Sequence, residues 1–91
     1  MVSKTVVINN PTGLHLRPAG NLCKEAVKYK SRITFNYRNN TTNAKSVLSV
    51  LAACVKQGEE IELVCEGDDE EEALENIAKL IEEGLGESGE S

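Results

Sequence analysis

Two short segments of this 91-residue chain alternate between apolar and polar residues, and this alternation limits the folds available to it. The segments are 32–38 (RITFNYR) and 60–66 (EIELVCE). Such alternation is typical of strands with one buried and one solvated face, which occur mainly in antiparallel sheets. The chain is therefore predicted to form a sheet that is covered on one side only. The predicted apolar face consists of Ile33, Phe35, Tyr37, Ile61, Leu63 and Cys65.

Two further strands complete the predicted sheet. The β-branched stretch 2–9 (VSKTVVIN) predicts a first strand. A tight turn at Asn39 and Asn40 then leads from the second strand into a short third strand over 41–43 (TTN).

Three segments have apolar residues at helical spacing and predict the layer that covers the sheet. The first begins at Pro18, because proline is tolerated in the first turn of a helix. The second opens at Ser46 and ends near Gly58, and the third is capped by Asp68 and Asp69. The predicted buried stripes are Ala19, Leu22, Cys23, Ala26 and Val27 in the first helix and Leu74, Ile77, Ala78, Ile81 and Leu85 in the third.

The order β-α-β-β-α-β-α predicts an α+β fold, an open-faced β-sandwich in which a four-stranded antiparallel sheet carries three helices on one face. The length suits a single domain, and we expect it to span residues 1–87. Residues 88–91 are expected to form a disordered C-terminal tail.

Composition argues against several classes of protein. No apolar run is long enough to span a bilayer, and the start lacks the apolar core of a signal peptide. We therefore expect a cytoplasmic protein that is not embedded in a membrane. Cys23, Cys54 and Cys65 are widely spaced and form no CxxC pair, which favours buried free thiols over disulfides or metal ligands.

Charge is divided unevenly along the chain. Residues 1–57 contain nine Lys or Arg and one acidic residue, a net charge of +8. Residues 58–91 contain one Lys and fourteen acidic residues, a net charge of −13. The basic part favours anionic ligands or acidic partner surfaces, and a chance distribution of solvated charge is the alternative. Nucleic acid is not expected as a partner, because no aromatic residues interleave the basic ones.

The only histidine, His15, lies in the segment PTGLHLRPAG, between Gly13 and the helix that starts at Pro18. A helix N-terminus presents free N–H groups and a positive dipole end, which together suit a phosphate. Arg17 adds a guanidinium that can hold phosphate oxygens, and a neutral imidazole is a nucleophile. The pattern fits a histidine that accepts a phosphoryl group, and it fits a surface histidine beside a helix cap equally well.

The neighbourhood of His15 contains few other reacting groups. The sequence places no second histidine and no evident acid, base or nucleophile near it. A self-sufficient hydrolase needs more parts than this. We therefore expect no cofactor and no metal, and we expect a group carrier that depends on partner enzymes rather than an enzyme.

GLHLRPAG resembles the active-site signature of the HPr family, the histidine-containing phosphocarriers of the bacterial phosphoenolpyruvate-dependent sugar phosphotransferase system. The resemblance, which is closest to Firmicute members, extends over residues 1 to about 87 and implies the sheet order first, fourth, second, third. It implies that His15 receives a phosphoryl group on Nδ1 from phosphorylated enzyme I and passes it to sugar-specific IIA domains. Arg17 would stabilise the group in transfer, with support from Leu16 and Pro18. Leu16 departs from the smaller residue or threonine that is commoner at this place.

Ser46 has two compatible roles. As an N-cap residue it contributes about 1 kcal/mol to stability. The resemblance to Gram-positive members implies phosphorylation of Ser46 by the HPr kinase/phosphorylase. The added charge would weaken docking onto enzyme I and could create a site for catabolite control protein A.

The helix that follows Ser46 has more apolar residues than one narrow core stripe needs, which predicts an exposed apolar patch for partners. The resemblance implies that this patch docks the partner proteins. No feature indicates an oligomer, and we expect a monomer. The predicted partner-binding residues are Gly20, Lys24, Val47, Leu48 and Leu51.

Three alternatives stay open on the sequence. A regulatory paralogue that acts only through phosphoserine is disfavoured by the intact LHLRPA segment around His15. A small RNA-binding domain on a similar sandwich would place aromatic residues on the open sheet face. A histidine-dependent hydrolase is poorly supported by a single histidine.

Overall fold

The computed structural model describes residues 1–86, which form seven elements in the predicted order. The strands pair antiparallel in the order β1-β4-β2-β3, and the helices lie on one side of them, so the open-faced α+β sandwich is confirmed. The predicted domain end at residue 87 and the predicted tail 88–91 lie outside the described residues. The elements are β1 (Val2–Val7), α1 (Leu16–Ala26), β2 (Arg32–Tyr37), β3 (Asn40–Asn43), α2 (Val47–Ala53), β4 (Glu60–Glu66) and α3 (Glu70–Glu82).

The register of the sheet explains the alternation in β2 and β4. Phe35 lies directly opposite Leu63, and both side chains are fully buried under the helices. Asn36 lies opposite Glu62 on the solvated face, where the two side chains share a hydrogen bond of 3.0 Å. Because Phe35 and Tyr37 both lie on the covered face, the RNA-binding alternative loses the aromatic platform that it requires.

The start of α1 lies two residues earlier than Pro18. Leu16 is the first helical residue and His15 is the N-cap. Pro18 is accommodated because the N–H groups of a first turn have no intrahelical partner. Val27, predicted to be buried, is the C-cap residue and is 59% exposed, because the helix ends before it. The other residues predicted to be buried in this helix are buried, and they are Ala19, Leu22, Cys23 and Ala26.

The turn between β2 and β3 is centred on Arg38 and Asn39, one residue earlier than predicted. Their φ angles of 49° and 66° are those of a type I′ turn, which matches the twist of a two-residue hairpin. Arginine adopts this backbone less readily than asparagine. Arg38 is held by the ring of Tyr37, 5.2 Å from its guanidinium carbon, and by an ion pair of 2.8 Å with Glu59.

The second helix is shorter than predicted. It ends at Ala53 rather than near Gly58, because Cys54 has a left-handed backbone with φ 57° and ψ 40°. This conformation turns the chain so that Val55 returns to the core. The prediction that Cys54 is buried is therefore wrong, since its side chain is exposed.

The other two cysteines are buried free thiols, as predicted. Burial raises the pKa of Cys65 to about 11, and it raises the pKa of Cys23 as well. A thiol with a raised pKa is a poor nucleophile at neutral pH, so both residues act as small apolar core groups.

The start of α3 corrects the predicted role of its aspartates. Asp69 is the N-cap residue, but its carboxylate forms no capping hydrogen bond. It accepts instead from the N–H groups of Lys30 and Ser31, each at 2.9 Å, and from the Ser31 hydroxyl. The Ser31 hydroxyl is the main cause that holds the pKa of Asp69 below its ordinary value. Asp69 therefore ties α3 to the segment before β2, while Asp68 is exposed.

The end of α3 is a Schellman motif. The N–H of Gly84 donates to the C=O of Ile81 at 3.1 Å, and the N–H of Leu85 donates to the C=O of Leu80 at 3.0 Å. The C=O of Leu85 accepts from the amide of Asn21 at 2.8 Å, which joins this end to α1. Leu74 is only partly buried, and Ala73 takes its place in the core. The other residues predicted to be buried in this stripe are fully buried, and they are Ile77, Ala78, Ile81 and Leu85.

Candidate functional site

The loop that leads from β1 into α1 packs against the segment that follows α2. The N–H of Leu14 donates to the C=O of Val55 at 2.9 Å. A Cβ on Gly13 would lie 2.5 Å from the same oxygen and 2.8 Å from the Cα of Lys56. Since Gly13 also has φ +67°, only glycine fits without strain. The residue before the histidine is thus fixed by direct backbone contact.

His15 is exposed at the N-terminus of α1. Its backbone is extended (φ −81°, ψ −174°), and its C=O accepts the first helical hydrogen bond from the N–H of Ala19 at 2.8 Å. The imidazole forms no capping hydrogen bond. The N–H groups of Leu16 and Arg17 precede the first helical bond, and Pro18 has no N–H. This helix end therefore presents two backbone donors and a positive dipole end beside the imidazole.

The charge at this helix end is not neutralised by the described part of the chain. The first turn of α1 contains no acidic residue. Arg17 is exposed, and its side chain forms none of the ion pairs found within residues 1–86. The site combines an available imidazole with a guanidinium and a helix N-terminus, which suits an anion of the size and charge of a phosphoryl group.

An apolar surface lies on α1 and α2, which pack against each other. Leu48 is 80% exposed and Leu16 is 64% exposed, both high values for leucine. Val47 and Leu51 are partly buried against the core, so each presents only part of its side chain. We call these four residues, together with Gly20 and Lys24 on α1, the docking surface.

Gly20 leaves this surface open. A Cβ built on Gly20 would meet no heavy atom within 4 Å, so its place on α1 has room for a contacting group. Lys24 lies one turn further along α1 and is exposed. The five residues predicted to bind partners thus lie on two helices, Gly20 and Lys24 on α1 and Val47, Leu48 and Leu51 on α2, and Leu16 is added by its exposure.

Ser46 is the N-cap residue of α2. Its Oγ accepts from the N–H of Ser49 at 3.2 Å, and its C=O accepts from the N–H of Val50 at 3.0 Å. The preceding residue, Lys45, donates from Nζ to the C=O of Tyr29 at 2.7 Å, which ties the start of α2 to the segment after α1. The Ser46 side chain is half-buried, and its hydroxyl serves the helix in the unmodified protein.

Sequence reasoning missed Glu59. Its carboxylate accepts from the N–H of Lys56 at 2.9 Å, from the hydroxyl of Tyr37, and from the guanidinium of Arg38 at 2.8 Å. Two of these partners lie more than 20 residues away in the sequence, so no local pattern predicts the contacts. The only local signal was an acidic residue directly after Gly58, where a turn meets a strand.

Residues 2–83 match the family model described as "PTS HPr component phosphorylation site". The match covers most of the chain and includes the loop before α1, α1 itself and α2. The fold and the site together define a class of protein: small open-faced α+β domains with an exposed histidine at a helix N-terminus. The chain belongs to the HPr family, the phosphocarrier proteins of the phosphotransferase system.

Two relatives show how far the similarity extends. Phosphocarrier protein HPr of Buchnera aphidicola is 39% identical over 83 residues, which are 91% of this chain and 98% of that protein. The multiphosphoryl transfer protein of Haemophilus influenzae is 39% identical over 87 residues. Those residues are 92% of this chain but 17% of that much longer protein.

Solved structures agree with the fold. HPr-C-His from Thermoanaerobacter tengcongensis has a TM-score of 0.93 at 42% identity, over 97% of this chain and 99% of that one. The catabolite-repression protein Crh of Bacillus subtilis, whose crystal structure is a swapped dimer, has a TM-score of 0.75 at 35% identity. The likeness to Crh covers 91% of this chain and 95% of that one. No helix within residues 1–86 has the length and apolarity to cross a bilayer.

Proposed function

We propose that this phosphocarrier takes its phosphoryl group on His15 from phosphorylated enzyme I and delivers it to sugar-specific IIA domains. The observation that carries the proposal is an exposed histidine at the N-terminus of α1 whose imidazole forms no capping hydrogen bond. An imidazole that is not used to cap its helix is available as a nucleophile. A family model named for a phosphorylation site supports the same assignment.

The proposed transfer needs charge stabilisation more than it needs further reacting groups. The lone pair of His15 Nδ1 forms the new P–N bond while the bond between phosphorus and the donor breaks, and the electron pair of that bond stays with the donor. The N–H groups of Leu16 and Arg17 and the guanidinium of Arg17 would stabilise the oxygens. Pro18 is buried and fixes the backbone of this turn.

Each transfer also requires docking, because the carrier meets at least two partners in turn. The docking surface is apolar at Leu16 and Leu48 and basic at Lys24, and Arg17 adds a second positive charge on α1. Such a surface fits partners that present an apolar patch with an acidic rim. Enzyme I and the IIA domains would therefore use the same face, one after the other.

Phosphotransfer tests this proposal directly. The protein is mixed with enzyme I, phosphoenolpyruvate and magnesium, and acid-labile phosphate is followed by mass spectrometry beside the variant His15→Ala. We expect labile phosphate on the wild type and none on the variant. Since the imidazole makes no capping bond, the variant should stay folded, which thermal unfolding checks. Absence of phosphate on the wild type, with an enzyme I proven on another carrier, would refute the role of His15.

Ser46 is a second proposed site, for regulation by an HPr kinase/phosphorylase and recognition by catabolite control protein A. Two observations favour it: Ser46 begins α2 next to the exposed Leu48, and a similar protein, Crh, is described as a catabolite-repression protein. A phosphate here adds a charge of about −1.5 to −2 to the docking surface. It should weaken contact with acidic partners while leaving the imidazole intact.

The Ser46 proposal is tested with Ser46→Asp against Ser46→Asn, which has the same shape without the charge. Both side chains are good N-cap residues, so the stability of the two variants should agree. We expect a higher KM for phosphorylation of Ser46→Asp by enzyme I. Equal KM values for the two variants would contradict the electrostatic argument.

We also propose that the protein acts in the cytoplasm as a monomer. The docking surface has to be free for each partner in turn, and the charge of residues 1–57 opposes pairing of that surface with itself. Light scattering over a range of concentrations tests this part of the proposal. A stable dimer, such as the one described for Crh, would contradict it.

A further inference from the structure

Glu59 joins three parts of the molecule. Its Oε1 accepts from the N–H of Lys56 at 2.9 Å and from the hydroxyl of Tyr37, and its Oε2 accepts from the guanidinium of Arg38 at 2.8 Å. Its backbone C=O accepts from the N–H of Ile8 at 2.9 Å. One residue thus ties the segment after α2 to the β2–β3 hairpin and to the end of β1.

The loop before His15 packs against the segment that Glu59 holds. Leu14 is hydrogen-bonded to Val55, and Gly13 lies so close to Val55 and Lys56 that no Cβ would fit. Two backbones in direct contact have no space in which one can move alone. Any displacement of Val55 and Lys56 is therefore passed to Gly13 and Leu14, and His15 is the next residue.

We propose that Glu59 is a positioning residue for phosphoryl transfer, acting through the 55–56 segment on the loop that carries His15. This inference rests on the proposed role of His15 as the phosphoryl acceptor. The reacting nitrogen must meet phosphorus at a defined distance and angle, so a small displacement of the loop slows the reaction. Glu59 would hold that geometry without touching the phosphoryl group.

The charge state of Glu59 favours this role. The Tyr37 hydroxyl, the Lys56 N–H and the Arg38 guanidinium all bond the ionised carboxylate and hold the pKa of Glu59 below its ordinary value. All three bonds are therefore present at neutral pH. No hydrogen bond or ion pair within residues 1–86 joins Glu59 to the docking surface, which lies on α1 and α2. Loss of Glu59 should then affect the chemical step more than the binding of partners.

The test uses Glu59→Gln with Glu60→Gln as its matched control. Glu60 is the next residue, is exposed on the solvated sheet face opposite Val7, and loses the same charge. Tyr37→Phe is a second variant that removes one of the three bonds and keeps the buried ring. Two quantities are measured in each protein: hydrogen exchange of the Leu14 N–H relative to a β4 N–H, and kcat and KM for phosphorylation by enzyme I with phosphoenolpyruvate.

In Glu59→Gln we expect hydrogen exchange of the Leu14 N–H to become about tenfold faster. The exchange rate of the β4 N–H should be unchanged, because only the hydrogen bonds of Glu59 are weakened. We expect kcat to fall about three- to tenfold with KM little changed, as for a misplaced reacting group. Tyr37→Phe should show smaller changes in the same direction. Glu60→Gln should match the wild type in both measurements.

Equal kcat values in Glu59→Gln and Glu60→Gln would overturn the positioning role, provided that the wild type is phosphorylated. Equal acceleration of exchange at Leu14 and in β4 would overturn it as well, since that result is general destabilisation. A wild type that takes no phosphate would refute the proposed function instead. In that case the exchange at Leu14 alone would decide whether Glu59 positions the loop before His15.

Discussion

Helices α1 and α3 begin in opposite ways. α3 has three glutamates in its first turn, and the Asp69 and Glu70 carboxylates accept hydrogen bonds from the backbone of neighbouring segments. α1 has no acidic residue in its first turn, and the imidazole of its N-cap residue, His15, forms no capping bond. The acidic first turn of α3 complements the positive end of that helix, although Asp69 forms no capping hydrogen bond. The start of α1 has no such complement, which fits the phosphoryl group proposed to bind there.

The difference shows which helix start forgoes an electrostatic contribution to stability. An acidic residue near a helix N-terminus typically contributes about 0.3–1 kcal/mol, and a good N-cap side chain contributes about 1 kcal/mol. α1 lacks both contributions, whereas α3 lacks only the second, because Asp69 forms no capping hydrogen bond. An acidic residue beside His15 would repel an incoming phosphoryl group, so the weaker helix start is the one that suits the proposed reaction.

The largest expected effect separates reaction from stability at α1. In Arg17→Gln we expect phosphoryl acceptance to slow about 10- to 100-fold, because one group that stabilises the transferring charge is lost. The free energy of unfolding should change by less than about 0.5 kcal/mol, because the side chain is exposed. Rapid-quench phosphorylation and urea unfolding measure the two quantities. Lys79→Gln on α3 makes the same charge change and should leave the rate alone; a comparable loss there would point to net charge rather than Arg17.

The second prediction concerns α3, where we expect stability to change while the reaction rate does not. Asp69→Asn weakens the bonds to the Lys30 and Ser31 N–H groups and to the Ser31 hydroxyl, so we expect the thermal midpoint to fall by several degrees. Phosphoryl acceptance measured well below that midpoint should be unchanged. Asp68→Asn is the control, because Asp68 is exposed. Similar midpoints for the two variants would show that the Asp69 contacts contribute little.

The third prediction uses pH to distinguish the two helix starts. The folded pKa values of Asp69 and Glu70 lie below the ordinary values of 3.8 and 4.5. A lowered pKa gives stability that is present above the ordinary value and lost as pH falls through the folded value. The free energy of unfolding should therefore decline below about pH 4.5, and less steeply in Asp69→Asn. Urea unfolding between pH 3 and pH 6 tests this, and an equal slope in Arg17→Gln and wild type is the expected control.

The smallest expected effect comes from making α1 begin like α3. Leu16→Glu places a carboxylate in the first turn and should stabilise the protein by about 0.3–1 kcal/mol relative to Leu16→Gln. The same charge should slow phosphoryl acceptance a few-fold, because it lies beside His15. Thermal unfolding and the phosphorylation rate of the two variants check both signs. A faster reaction in Leu16→Glu would contradict the electrostatic difference between the helix starts.

The fold was predictable because its main signals are local. The alternation in β2 and β4 gave the covered face, and helical spacing gave three helices in the right order. The candidate site was predictable for the same reason, since Gly13, His15, Arg17 and Pro18 lie within six residues. Contiguous residues at a helix start need no knowledge of tertiary structure to be placed together.

The errors concern contacts and conformations that the local sequence does not encode. Nothing marks Cys54 as left-handed, because glycine or asparagine is the usual residue there, and the apolar run therefore predicts a helix past the true end of α2. Asp69 has the residue type of a cap, but its partners lie 38 and 39 residues away. Glu59 was missed because its main partners, Tyr37 and Arg38, belong to another hairpin.

The strand order has a consequence for the protein while it is being made. β4 is the last strand within residues 1–86, yet it lies between β1 and β2. Until residues 60–66 leave the ribosome, both neighbours have an unpaired edge, and unpaired edges attract strands of other molecules. At about 5–20 residues per second, that wait lasts on the order of seconds. A nascent chain that stops before residue 60 therefore keeps at most the β2–β3 hairpin, and its newly made helices have no complete sheet to cover.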